Sequence, residues 1–349
     1  MEIDFGVLPM LLGWAFLLLG IYTLLYYKYI YSVLDPLFVF VFTTSFASVL
    51  AISVIPELKD ILHFFGCQLA LWVGFSLAYS KYKPITTNKE YYFSDYTLLR
   101  HITYVFLAIY IMANLYIGYA KGFALLAETP TEAKIANFQE GFGFFRKINW
   151  SIGTFVGTSL IYICLTEKKR IDVFLLLIVI FFTSLDGSKS SMLQIAVSAG
   201  IILYHPAFLE KRQIVKKFQR YIPLIFVAIM GLFFVVLFKE NESSDEAFFA
   251  FIRRLLYSAD SVLYYYQPIN IAYFDQFSFL DYVSRIVNPI LGFFRIMPYQ
   301  EAPGNIMIDN LRPPGSVYTV TVGPNAPFYI EGRIYFKYWA AFPYSMLVG

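Results

Sequence analysis

Apolar residues fill long stretches of this chain, and charged residues gather in the gaps between them. Eight stretches read as membrane spans: about 5–27, 35–54, 61–80, 98–120, 148–165, 171–185, 191–204 and 221–238, with a further apolar run beginning near Ile334. Most approach or exceed the roughly 18 residues needed to cross the hydrocarbon core. The sixth and seventh are shorter. Fifteen residues reach only about 22 Å at the helical rise, less than the roughly 30 Å core. The turn between them, Asp186-Gly187-Ser188-Lys189-Ser190, is therefore expected to sit below the membrane surface, where irregular backbone survives only under cover of protein or water.

Alternating the connectors between two sides gives an orientation. One side receives Lys28, the Lys81–Arg100 loop, Lys168–Arg170 and the Lys211–Arg220 segment, which together hold 13 of the 27 basic residues. The positive-inside rule makes that side cytoplasmic. The N-terminus, the Lys121–Lys147 loop, the 186–190 turn and a long loop from Lys239 to about Ile334 then face outward. The predicted organisation is a transmembrane bundle over 1–238, a large outer loop over 239–334, and over 335–349 either the start of a ninth span that the chain breaks off within or a short ninth helix ending at the inner face. The first span has no basic segment before it and no small-residue cleavage site, so it reads as a retained helix and not a signal peptide.

Composition agrees with the pattern. Hydrophobic residues make up 58% and charged ones only 15%, against about 25% charged in a soluble domain. The fold class expected is an all-α polytopic membrane protein of about nine transmembrane helices. Cys67 and Cys164 fall inside apolar runs and read as buried thiols. His63, His101 and His205 have no metal-ligand spacing.

The outer loop holds the candidate chemistry. After a polar neck, Glu240 to Glu246, apolar residues from Phe248 to Tyr266 recur at helical spacing. Arg253 and Arg254 lie on that pattern, and Asp260, one heptad past Arg253, returns to the same face within roughly 20°. A second amphipathic helix is expected over about 279–296, carrying Arg285 and Arg295 and broken at Pro289. Both read as interfacial helices. Residues 298–329 are rich in turns, including Pro303-Gly304, Pro313-Pro314-Gly315 and Gly323 to Pro327. Any single arginine here also fits a snorkelling side chain. Two adjacent ones point to different faces, so at least one meets the bundle. Lys189 sits in a glycine- and serine-rich turn able to cradle an oxyanion, although a cation at a helix end reads the same way. Glu331 stands where the chain re-enters the membrane, where an acid is costly.

Three of these features resemble the Wzy-type O-antigen and oligosaccharide repeat-unit polymerases. They are the small-residue turn Asp186 to Ser191 with a basic centre (Lys189, where arginine is more usual), the arginine-bearing helix Phe251 to Tyr257, and the Gly/Pro stretch Gly323 to Pro327 leading into Phe328 to Phe336. The resemblance implies a glycosyltransferase of the bacterial cytoplasmic membrane, independent of metal and cofactor, that makes O-antigen, capsule or exopolysaccharide. A growing glycan leaves its polyprenyl diphosphate at the outer leaflet and joins the next lipid-linked repeat unit. On that reading Arg253, Arg254 and Lys189, with Ser188, grip the diphosphate, and Arg285 and Arg333 are further phosphate or sugar contacts. Glu331 or Asp260 is the base, and Tyr329, with Tyr257, Tyr264, Tyr265 and Tyr266, stacks on sugars. The implied partners are polyprenyl-diphosphate-linked oligosaccharides, the bilayer, a flippase and a chain-length regulator, with no nucleic acid. A ligase moving finished glycan from the same carrier fits the same loop. A lipid-glycan exporter would instead place charges along its spans.

Overall fold

The computed structural model describes residues 8–30, 35–81, 96–128, 130, 133, 143–167, 169–186, 189–204, 252–253, 255–293, 295–298, 300–313 and 323–349. The eighth expected span, the Lys211–Arg220 segment, the polar neck, Arg254 and Ser188 lie outside them. Among the described residues the regular elements are all helical: α1 Leu8–Tyr26, α2 Pro36–Val54, α3 Leu58–Lys81, α4 Tyr96–Lys121, α5 Gly143–Glu167, α6 Arg170–Leu185, α7 Lys189–Tyr204, α8 Ser261–Tyr265, α9 Pro268–Asp275, α10 Phe279–Phe293, α11 Pro303–Asp309, α12 Phe328–Glu331 and α13 Lys337–Val348. A π turn, Gly332–Phe336, joins the last two.

Four helices among the described residues are long and apolar enough to cross a membrane: Leu8–Tyr26, Pro36–Val54, Leu58–Tyr79 and, within the stretch Tyr96–Leu126, α4. In α1 only 22% of the apolar window is buried inside the protein, and Phe16, Leu17 and Leu24 lie exposed. A helix this apolar on all sides suits acyl chains and not water. The protein is an all-α membrane-embedded chain, and the described residues carry four of the nine spans that hydropathy predicts. Helices α6 and α7 have 16 residues each, about 24 Å at the helical rise, as short as the sequence implies.

The chain divides into two compact units, Met1–Tyr27 with Val41–Lys83 and Arg253–Gly349, and Lys28–Phe40 with Pro84–Ile252. In the first, Tyr22 and Ser48 share a hydrogen bond of 2.9 Å between α1 and α2, and Trp72 of α3 donates to the Leu25 carbonyl at 3.1 Å. Helices α3 and α13 run in the same direction: His63 meets Tyr338 and Phe342, Gly66 faces Phe342, and Gly74 faces Met346. Their core is built from Phe64, Val262, Met307, Ile330 and Ile334, all essentially without solvent exposure.

In the second unit α4, α5, α6 and α7 pack together, with Leu107, Val156, Leu160 and Val179 between α4, α5 and α6. One end is tied by charge. Arg100 binds Glu167 at 2.8 Å and Asp172 at 3.0 Å, and Tyr104 donates to Asp172 at 2.6 Å. Asp172 has no solvent exposure. Losing one partner of such a pair costs about 3–5 kcal/mol, because the other charge is left buried alone.

Three details of the outer loop differ from expectation. The first amphipathic stretch is not one α-helix: residues 252–256 are helical where described, Tyr257–Ala259 is a 3-10 turn, and α8 starts at Ser261. A 3-10 turn winds at three residues per turn, so the heptad argument placing Arg253 and Asp260 on one face does not hold. Helix α10 continues through Pro289 and ends at Phe293, and Arg295 beyond it has a φ of +57°. Pro303-Gly304 opens helix α11 instead of forming a turn, because proline suits the first helical position.

Candidate functional site

The segment 327–338 organises the first unit. Pro327 precedes the single turn α12, the backbone then widens into the π turn, and Lys337 restarts the helix at a φ of +65°. A non-glycine residue at positive φ is uncommon, and π turns inside helices concentrate at functional sites. Lys337 is held there by its own side chain, which donates to the carbonyls of Phe274 at 3.3 Å and Asp275 at 2.5 Å. Gly332 fits because a Cβ would come within 3.1 Å of the Ala341 Cβ.

The π turn directs Arg333 at α3. Its guanidinium donates to Asp60 at 3.0 Å and lies 4.4 Å above the Tyr338 ring. It also shares a hydrogen bond with the Tyr265 phenol, which burial pushes up to about 12. Asp60 is 6% exposed. His63, one turn further along α3, has Nε2 at 2.9 Å from the Tyr338 carbonyl. A carbonyl only accepts, so that nitrogen carries the proton.

Two further carboxyls belong to the same unit. Glu331 accepts from the Tyr344 hydroxyl at 2.9 Å, and Tyr344 lies 3.4 Å from the Tyr282 hydroxyl. Burial pushes the Glu331 carboxyl above the usual range, and the Tyr344 hydrogen bond draws it part of the way back. Asp260 lies between the 3-10 turn and α8. Burial pushes its carboxyl up to about 6, against the pull of the Ser261 amide and its own. The next residue, Ser261, and Tyr329 are both buried, and their hydroxyls have no hydrogen-bond partner among the described residues. Burial holds the Tyr329 phenol well above its ordinary range, with the Tyr266, Tyr22 and Asp260 groups adding to the effect. A buried polar atom left unpaired costs about 1–3 kcal/mol, so two unpaired hydroxyls next to a half-buried acid call for an explanation.

The sequence-predicted residues fare differently. Asp260, Tyr329, Glu331 and Arg333 all belong to the first unit, with Tyr265 and Tyr266 among them. Arg253 is exposed. Arg285 lies on α10, donates to the Glu301 carbonyl and sits 5.5 Å from the Phe277 ring centre. Lys189 belongs to the second unit, where it begins α7 rather than centring a turn. Arg254 and Ser188 lie outside the described residues. Sequence reasoning missed Asp60, His63, Tyr338 and Tyr344. Asp60 carried a faint signal, an acid in the first turn of a helix after Pro56, but that position reads as ordinary helix-dipole chemistry.

No protein-family model, curated protein or solved structure matches the chain. What fold and site together define is a class: a membrane-embedded protein, all-helical among its described residues, with a partly buried cluster of acids, phenols and a guanidinium in its first unit.

Proposed function

We propose that this protein is a membrane glycosyltransferase that polymerises polyprenyl-diphosphate-linked oligosaccharide repeat units at the outer face of a bacterial cytoplasmic membrane. The observation that carries this reading is the gathering in one unit of Asp260, Glu331 and Arg333 with the buried Ser261 and Tyr329 hydroxyls, which have no hydrogen-bond partner among the described residues. The direction of the helices supports it. The α2–α3 turn and the 331–338 segment meet at Asp60 and Arg333, and alternation of the spans puts both on the outward side.

The reaction joins an acceptor hydroxyl to the anomeric carbon of the donor glycan. The new C–O bond forms as the bond from that carbon to the diphosphate breaks, and the carrier departs with the electron pair. The acceptor's proton goes to a carboxylate. Asp260 suits this role better than Glu331, since Tyr344 already occupies Glu331. A positioned base contributes roughly 10²–10⁴-fold. Arg253, of the same unit, is assigned to the departing diphosphate, where a preorganised donor is worth about 3–4 kcal/mol. Arg333 is neutralised by Asp60, so its assigned role is to position the 331–338 segment and not to bind phosphate.

The test is the glycan ladder of cells deleted for this gene and complemented with wild type, Arg253→Ala or Asp260→Asn. The expected result is collapse to a single repeat unit on deletion, restored by wild type and by neither variant. An unchanged ladder on deletion removes the polymerase reading. Long polymer left unattached to its acceptor would point to the ligase instead.

A further inference from the structure

A cleft in the first unit lies outside the cluster just described. It opens between α9, the first half of α10 and residues 300–306, and encloses about 380 Å³. That volume is at the small end of the 300–1,000 Å³ typical of ligand sites. Its apolar wall is the pair Tyr273 and Phe277, whose ring centres stand 5.5 Å apart. Its polar wall is Asp281, Arg285, Gln300 and Glu301.

The polar wall is preorganised. Arg285 is fixed over Phe277 and on the Glu301 carbonyl. Gln300 donates to the Ser284 hydroxyl at 2.9 Å, and its backbone amide donates to Asn288 at 3.0 Å. Asn288, 2% exposed, in turn donates to the Pro298 carbonyl at 2.8 Å. Asp281 engages one carboxylate oxygen with the Ser278 amide and hydroxyl, at 2.7 and 2.8 Å. Groups already held in place lose little freedom when a ligand arrives.

The charges select the ligand. Two carboxylates and one guanidinium make a lining that is net negative, which disfavours a phosphate or a uronic acid. Hydroxyl groups satisfy both kinds of partner, donating to carboxylates and accepting from guanidinium and amide. A saccharide ring adds an apolar face of C–H bonds for Tyr273 and Phe277. Phe277 also packs 6.2 Å from Tyr335, a buried phenol whose hydroxyl has no partner among the described residues, so the aromatic wall runs on toward Glu331.

We infer that this cleft is a binding site for a neutral, short saccharide, held by Tyr273 and Phe277 on one side and by Asp281, Arg285 and Gln300 on the other. The biological source of that saccharide, the neutral portion of an acceptor repeat unit, rests on the function proposed above; the cleft's chemistry does not. It also narrows Arg285 from a phosphate or sugar contact to a sugar contact.

The test uses the full chain in lipid nanodiscs on an array of immobilised neutral and uronic-acid oligosaccharides, with inorganic phosphate as a soluble competitor. Neutral glycans are expected to retain the protein and phosphate not to compete. Tyr273→Ala and Asp281→Asn, both at the exposed rim, should each weaken retention about tenfold, the loss of one good contact. Retention of no glycan, of acidic glycans only, or of neutral glycans equally by both variants overturns the cleft. A ladder restored by wild type together with an empty array sinks the cleft and leaves the polymerase standing. Neutral-glycan retention with an unchanged ladder does the reverse.

Discussion

At the scale of single residues, two acids of the first unit meet different environments. Asp60 accepts from the Arg333 guanidinium at 3.0 Å, and the pair is a clasp between α3 and the π turn. Burial pushes Asp260 up to about 6. The direction fixes a pH dependence. A carboxyl raised in the folded state adds stability that is complete below its unfolded value of 3.8 and lost as pH rises through about 6. A base works only when ionised, so in the role proposed for Asp260 activity is expected to run the other way, switching on as pH rises through that point. Polymer formation in isolated membranes supplied with lipid-linked repeat unit should therefore show an acid limb near pH 6. Asp260→Asn should abolish it while the protein stays inserted. A wild-type profile flat across that range would remove Asp260 as the base. The acids of the outer loop could be read from the chain because they stand among loop residues. Asp60 could not, since its meaning depends on a partner 273 positions away.

At the scale of elements, hydropathy located the long helices to within a few residues, because an apolar run in lipid leaves the backbone no alternative to a helix. Local breakers misled where tertiary contacts decide. Pro303 starts a helix, Pro289 does not end one, and the 3-10 turn at 257–259 separates Arg253 from Asp260. The α3–α13 pair shows what glycine does for such packing. A Cβ on Gly74 would stand 1.8 Å from the Met346 carbonyl oxygen, whereas one on Gly13 would meet nothing within 4 Å. Backbone cannot rotate aside as a side chain can, so Gly74→Ala must push the two helices apart at a cost of about 1–3 kcal/mol. Thermal unfolding in detergent should show Gly74→Ala melting well below wild type. Gly13→Ala should melt at or above it, as alanine is worth up to about 1 kcal/mol over glycine in a helix. Equal melting of the two variants would mean that α3 and α13 are not packed this closely.

At the scale of the molecule, the proposed chemistry depends on which side of the membrane each end occupies. The proposed glycan polymerisation belongs to the outward face, and the positive-inside rule predicts the orientation from the basic connectors. The α2–α3 turn carries Glu57 and Lys59, the residues nearest Asp60, and the α5–α6 junction carries Glu167 and Lys169 beside Arg100. If the positive-inside rule governs this chain, the first junction faces out and the second faces the cytoplasm. Both can be probed, since the Glu57 and Lys169 side chains are 58% and 55% exposed. Cys67 is buried and Cys164 partly so, which leaves little background for a thiol reagent. A membrane-impermeant maleimide should label Glu57→Cys in intact spheroplasts and Lys169→Cys only after permeabilisation. The reverse pattern would put Asp60, Arg333 and Glu331 at the cytoplasmic face, where a flipped lipid-linked donor is absent. It would remove the polymerase reading even if every contact in the first unit stood as described.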